Sequence, residues 1–158
     1  MSLVEKRLAE LGYVLPANLK PLANYVTTNK SGNLLYTSGS GCFVNGKPFY
    51  QGRVGDDLTV EQGYDAAKLT VLNLFSMIKG EIGDLDRIRK VVKLLGFVNS
   101  SPDFFDQPAV MDGASDFLHD VLSEKGRHAR SAIGTSVLPM NLPVEIELIV
   151  EIETDEEE

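Results

Sequence analysis

The chain of 158 residues has one cysteine and no tryptophan. A lone thiol, Cys42, cannot form an internal disulfide, so the core must hold the fold and a reducing cytoplasm is the expected home. No apolar run approaches the ~20 residues of a membrane helix, and no membrane partner is expected. The opening "MSLVEKRLAELGYVLP" is charged and amphipathic, unlike a secretory leader. The only histidines, His119 and His128, make no zinc spacing with Cys42, so neither a metal nor a cofactor is expected. Basic residues are scarce too. Against 23 Asp and Glu there are 15 Lys and Arg, a net charge of -8 that argues against a binder of nucleic-acid phosphates. Without the five acids of "ETDEEE" the balance is still about -3. Neither a Gly/Ser/Pro linker nor an internal repeat is visible. The expected organisation is one domain over 1–153 and an acidic, frayed tail over 154–158.

What is present reads as an α+β sandwich. Ser2 and Glu5 can cap a helix over Ser2–Leu11 that Gly12 stops. "YVTTN" and "NLLYTSG" read as strands split at Lys30-Ser31-Gly32, and Asn45-Gly46 as a two-residue hairpin turn. Thr59 and Gln62 can box the start of a helix running to Gly80, with Leu69, Leu72, Phe75 and Ile78 on its apolar stripe. "IRKVVKLLGFVNS" reads as a strand. A second long helix is expected over about Pro108–Ser123, burying Val110, Ala114, Phe117, Leu118 and Val121.

The most informative stretch is "GRHARSAIGTSVLPMNLPVEIELIVEIE", two alternating runs joined by a Pro-bounded link. Read as a hairpin turning at Pro139–Leu142, it opposes Thr135 to Ile146, Ile133 to Leu148 and Ser131 to Val150, an apolar face for helices. The other face would set Arg130, Ala132, Gly134 and Ser136 against Glu151, Ile149, Glu147 and Glu145. Two readings stay open. The face is simply wet, with Arg130 and Glu151 in an exposed pair contributing roughly 0.2–1 kcal/mol. Alternatively, the small residues admit another subunit and the polar groups line a shared cleft. In that register Arg130 and Glu145 lie roughly 20 Å apart along the strands, too far for one small ligand within one chain.

The motifs "YVTTNKSGNLLYTSGS" and "ARSAIGTSVLPMNLPVEIELIVEI", with the order of elements, resemble the Rid family (RidA/YjgF, reactive intermediate deaminases). The resemblance runs from about Leu22 to Glu153. It implies a chorismate-mutase-like α+β fold, with two main helices on one face of a mixed sheet, and a homotrimer with ligand clefts between neighbours. It further implies hydrolysis of 2-imino and 2-enamino acids to 2-keto acids and ammonia. Members are also described as binders of small carboxylates, and as ribonucleases or translation inhibitors.

By position, Arg130 matches the family arginine that clamps the substrate carboxylate, and Glu145 the glutamate that helps position water. A guanidinium suits the first task because it makes two parallel charge-assisted bonds and keeps its proton. Tyr25 matches a tyrosine of the cleft, and Ser38 with Gly39 a loop beside the ligand. Three positions depart from the deaminase pattern. Ala132 replaces a cysteine, Met111 beside Asp112 replaces an asparagine, and Ser40 replaces a glutamine. The N-terminal helix and the loop over 44–59 are additions. Asp84 and Asp86 read as turn and cap residues, Cys42 as an apolar filler, His119 as an exposed or core-satisfied histidine, and Arg127 and His128 as solvated groups, with the steering of an anion as the alternative. "GRVGDD" lacks the spacing of a phosphate loop.

Overall fold

The computed structural model of the chain describes residues 1–18, 20, 21 and 23–155. In chain order the elements are α1 (Leu3–Glu10), β1 (Thr28–Ser31), β2 (Leu34–Thr37), β3 (Phe43–Val44), β4 (Lys47–Pro48) and α2 (Val60–Ile82), then β5 (Ile88–Asn99), α3 (Gln107–Leu122), β6 (Ala129–Thr135) and β7 (Val144–Ile152). Five strands form one sheet in the order β1-β2-β7-β5-β6, and β3 and β4 form a separate two-stranded ribbon. The α+β architecture with helices on a mixed sheet is as expected. The acidic tail lies outside the described residues from 156 onward.

Local chemistry sets the helix boundaries. Ser2 Oγ accepts the Glu5 N–H at 3.0 Å while Glu5 Oε2 accepts the Ser2 N–H at 3.2 Å, so α1 begins with a reciprocal box. Asp86 also takes the Leu3 and Val4 N–H groups at 2.8 and 2.9 Å, a carboxylate placed at the positive end of α1. Thr59 and Gln62 make the same reciprocal box for α2, which runs two residues past Gly80 and ends at Gly83, φ 80°. The ribbon turns at Asn45-Gly46 with φ 52° and 75°, the left-handed pair that a two-residue loop requires.

Helices α2 and α3 cross closely because Gly113 presents no side chain; a Cβ there would stand 2.0 Å from the Tyr64 carbonyl oxygen. Beneath them lies a core of alternate strand residues, including Leu35, Val91, Leu94, Val98, Ile146 and Leu148, each at most 1% exposed. The expected α3 stripe is buried throughout, from Val110 to Val121. The opposite sheet face is open, with Tyr36 42% and Ile133 45% exposed.

Two expectations fail. β1 starts at Thr28 rather than Tyr25 and includes Lys30 and Ser31, which pair with Leu35 and Leu34, so the turn falls at Gly32-Asn33. The last two strands do not pair with each other. β7 lies antiparallel between β2 and β5, and β6 lies on the far side of β5, parallel to it. Both strands alternate as expected, but alternation fixes a strand's faces and leaves its neighbour undetermined. The error also inverts β6. Arg130, Ala132 and Gly134 stand in register with Leu94, Gly96 and Val98 and so belong to the helix-covered face, whereas Ile133 belongs to the open one.

Candidate functional site

Four of the expected residues meet around one cavity of about 340 Å³. Tyr25, Ser38, Gly39 and Glu145 line it, together with Asn73 and Met140. Its position follows from where β2 stops. Ladder pairing with β7 ends at Tyr36 and Ile149, resumes for one bridge at Ser40 and Ile146, and the segment between bows outward. Ser38 Oγ ties this bow to the chain ahead of β1 by donating to the Val26 carbonyl at 2.7 Å. Buried Asn73 of α2 ties its far end, donating to the carbonyls of Phe43 at 2.9 Å and Gly41 at 3.3 Å. Glu145 lies against Gly39; a Cβ there would be 2.9 Å from the Glu145 carboxyl carbon, and the Glu145 side chain would have to shift.

That contact has an electrostatic consequence. Loss of water, and secondarily the charge of Glu147, push the Glu145 carboxyl above its ordinary range. A carboxyl so displaced exchanges its proton nearer neutrality, which suits acid–base work.

The other wall is the turn between β6 and β7, where Met140 and Asn141 both take left-handed backbone at φ 56° and 54°. Such a pair persists only when its surroundings hold it. Gln51 Nε2 donates to the Met140 carbonyl at 2.7 Å, Gly52 N–H to that of Asn141 at 2.8 Å, and Asn99 Nδ2 to that of Leu142 at 3.1 Å. The loop over 44–59, an addition by sequence, thus braces this wall through Gln51 and Gly52.

Arg130 is elsewhere. On edge strand β6 it reaches α3, where Nη1 donates to Asp112 Oδ1 at 2.9 Å and to Ser115 Oγ at 3.2 Å. Its side chain is 23% exposed and opens on a hollow of about 470 Å³ that Arg127, His119 and His128 also line. The expected alternative pair with Glu151 does not form: that carboxylate sits near Arg89 and Lys90, 4.0 and 3.8 Å away. Nor is His128 free in solvent. It bonds through Nδ1 to the Gly126 carbonyl at 2.7 Å and through Nε2 to Ser115 Oγ at 2.9 Å, backing the group that holds Arg130. Ser115 escaped notice in the sequence, although its three-residue spacing from Asp112 places both on one side of α3. Met111 is fully buried beneath Gly96 and touches neither hollow, while half-buried Ala132 faces Gly96 across the β5–β6 ladder.

Arg130 and Glu145 cannot meet within one chain. Arg130 aligns through Leu94 with Leu148, three residues from Glu145, which places the Cα atoms about 10 Å apart along the strands and about 10 Å across them. This replaces the 20 Å expected from the hairpin. A stronger obstacle is orientation, because Arg130 leaves the sheet on its helix side and Glu145 on its open side.

A further hollow of about 590 Å³ between α1 and α2 holds the Glu5–Lys79 pair, whose charges neutralise each other. No group of three or more His, Cys, Asp or Glu suited to a metal occurs among the described residues. None of their helices is long and apolar enough to cross a membrane.

Residues 5–152 match the family model described as "YjgF/chorismate mutase-like, putative endoribonuclease". The Trypanosoma cruzi protein TCP17 is 41% identical over 157 residues, covering 94% of each chain. The crystal structure of Agrobacterium tumefaciens Atu1372, of unknown function, superposes with a TM-score of 0.90 at 47% identity, covering 96% of this chain and 93% of that one. A Shewanella oneidensis structure titled an endoribonuclease of inferred function gives 0.91 at 36% identity, over 94% and 99%. At the level of fold alone, Escherichia coli TdcF, solved with bound serine, gives 0.61 at 19% identity, over 90% and 97%.

Proposed function

Because the chain belongs to the YjgF/chorismate-mutase-like (Rid) family, we propose that it hydrolyses 2-imino and 2-enamino acids to 2-keto acids and ammonia at clefts between the subunits of a homotrimer. One observation carries this reading. Tyr25, Ser38, Gly39 and Glu145, far apart in sequence, surround a single cavity, while Arg130 faces away from it on the same chain. A cleft using all five residues must therefore join two copies. The open sheet face, with Tyr36 and Ile133 exposed, supports such packing.

In this mechanism Arg130 of one copy grips the substrate carboxylate and Tyr25, Ser38 and Gly39 of the next enclose the carbon skeleton. An enamine first takes a proton at carbon and becomes the iminium. Water then adds to the iminium carbon, giving up one proton to Glu145, and the carbinolamine forms. Glu145 returns the proton to nitrogen. The C–N bond breaks as the hydroxyl oxygen forms the carbonyl and loses its own proton to the departing ammonia, which leaves as ammonium. The iminium carbon is already electrophilic, so placement of water and proton transfer can suffice without a protein nucleophile.

The assay is release of ammonia and keto acid from a 2-imino acid generated in situ by an amino-acid oxidase. Arg130→Ala should slow the release by roughly 100-fold, the order of loss expected when a reactant is misplaced. Equal rates for wild type and variant would defeat the reading. The ion pair between Arg130 and Asp112 favours a second reading, a non-catalytic sensor of small carboxylates in which Asp112 holds the clamp until a ligand displaces it. Thermal stabilisation by 2-keto acids without turnover would support that role. The ribonuclease of the family description is the weakest reading, since a net charge of -8 opposes the approach of a polyanion.

A further inference from the structure

The contacts of Arg130 leave its guanidinium divided. Nη1 has two hydrogens, and Asp112 Oδ1 and Ser115 Oγ accept them. Nε and Nη2 carry the other three and have no partner among the described residues. These two nitrogens form the side-on edge that holds a carboxylate by two parallel bonds. A carboxylate seated there would have the Asp112 carboxylate as a close neighbour, and Asp112 is 53% exposed, with no hydrogen bond to its Oδ2 among the described residues. One guanidinium offsets only one of two carboxylates bound to it, so the trio keeps a net negative charge that a further positive group beside both anions relieves. An α-nitrogen bearing protons meets that need, because it sits one carbon from the carboxylate.

We propose that Asp112 is a specificity-determining residue: it accepts a hydrogen bond from the protonated α-nitrogen of the ligand and so selects amino and imino acids over the 2-keto acids that share their skeleton. The inference rests on the reading of Arg130 as a carboxylate clamp. A carboxylate beside the imine nitrogen stabilises the iminium, the form that water attacks. Once ammonia has left, no N–H remains, and the same carboxylate meets the keto oxygen of the product lone pair to lone pair. Substrate is held and product is rejected by one side chain. Ser115, backed by His128, keeps Nη1 turned towards Asp112 and thereby keeps the Nε/Nη2 edge presented.

The experiment is a ligand-observed NMR titration of the full chain in its native assembly with L-alanine and with pyruvate. Wild type should bind alanine about tenfold or more tightly than pyruvate, the scale of one charge-assisted hydrogen bond gained against one repulsion. In Asp112→Asn the amide oxygen can still accept from Arg130, while its N–H₂ can donate to a keto oxygen. That variant should gain pyruvate affinity and bring the ratio within about threefold. Arg130→Ala should lose both ligands. Pyruvate binding as tightly as alanine to wild type, or an unchanged ratio in Asp112→Asn, overturns the role of Asp112 and leaves the clamp standing. Binding of neither ligand to wild type overturns the clamp and this inference together.

Discussion

The carboxyl of Glu145 rests against the Gly39 backbone and beside Glu147, and both the lost water and the second negative charge raise its proton affinity. The linkage has a definite sign. A carboxyl whose folded pKa exceeds its unfolded one binds its proton more tightly in the folded state. Above the raised pKa the fold carries the whole cost of the ionised group, and the cost fades as pH falls through that value to the ordinary carboxylate range. Glu145→Gln removes the ionisation and keeps the shape. It should stabilise the protein near neutral pH by no more than about 1 kcal/mol, since the group is still partly solvated. The gain should vanish in acid, while imine hydrolysis falls sharply. Denaturant melts on both sides of the carboxylate range check it; a constant difference would show that the charge is not the cause. A gain in stability coupled to a loss of hydrolysis in this variant would mark Glu145 as a site residue. At this scale the sequence was partly legible. Tyr25, Ser38, Gly39 and Glu145 could be named from motifs that the structure gathers at one cavity. The partners of Arg130 could not, because Asp112, Ser115 and His128 reach it through the docking of α3 on β6, a contact no local pattern encodes.

Between elements, the α2–α3 crossing depends on Gly113, and the seating of α3 on the sheet depends on Gly96. The two glycines answer differently to one added methyl. At Gly113 the Cβ would meet the Tyr64 backbone carbonyl at 2.0 Å, and a helix backbone can retreat only by moving the whole helix. At Gly96 it would meet the Met111 Sδ at 2.3 Å, the movable end of an unbranched side chain. Gly113→Ala should therefore cost about 2–3 kcal/mol and Gly96→Ala about 1 kcal/mol or less, read from denaturation midpoints. The reverse order would mean that the helices slide more freely than Met111 repacks. Legibility at this scale follows the same physics. Capping boxes at Ser2 and Thr59 and the stripe of α3 are local, and the elements they predict form within a residue or two of their expected ends. The partnership of β6 and β7 is non-local. Chain neighbours joined by a short link usually pair, but here β5 comes between them, and the small residues of β6 lie under α3 on the helix side.

For the whole molecule, the decisive feature is a sheet that separates the two proposed site residues, with Arg130 on the covered side and Glu145 on the open side. If the complete site spans two copies, two crippled chains can repair each other. Arg130→Ala retains Glu145, Glu145→Ala retains Arg130, and each homogeneous assembly lacks one group at every site. Refolded together in equal amounts, the variants should assemble at random. About a quarter of the clefts then take arginine from one variant and glutamate from the other, a fraction independent of ring size in a closed symmetric oligomer. The mixture should recover about that share of wild-type turnover, while the same variants mixed without refolding recover none. Site-blocking loss of activity in the mixture as well would mean that both groups serve one chain, or that they do not share a cleft. Ile133→Lys offers a second handle on the same geometry. It places a charge on the open sheet face, 45% exposed in the single chain, without touching either half-site. If that face packs against neighbouring copies, the variant should elute as a smaller species and lose turnover with its assembly, whereas a monomeric wild type would remove the physical basis for a shared cleft.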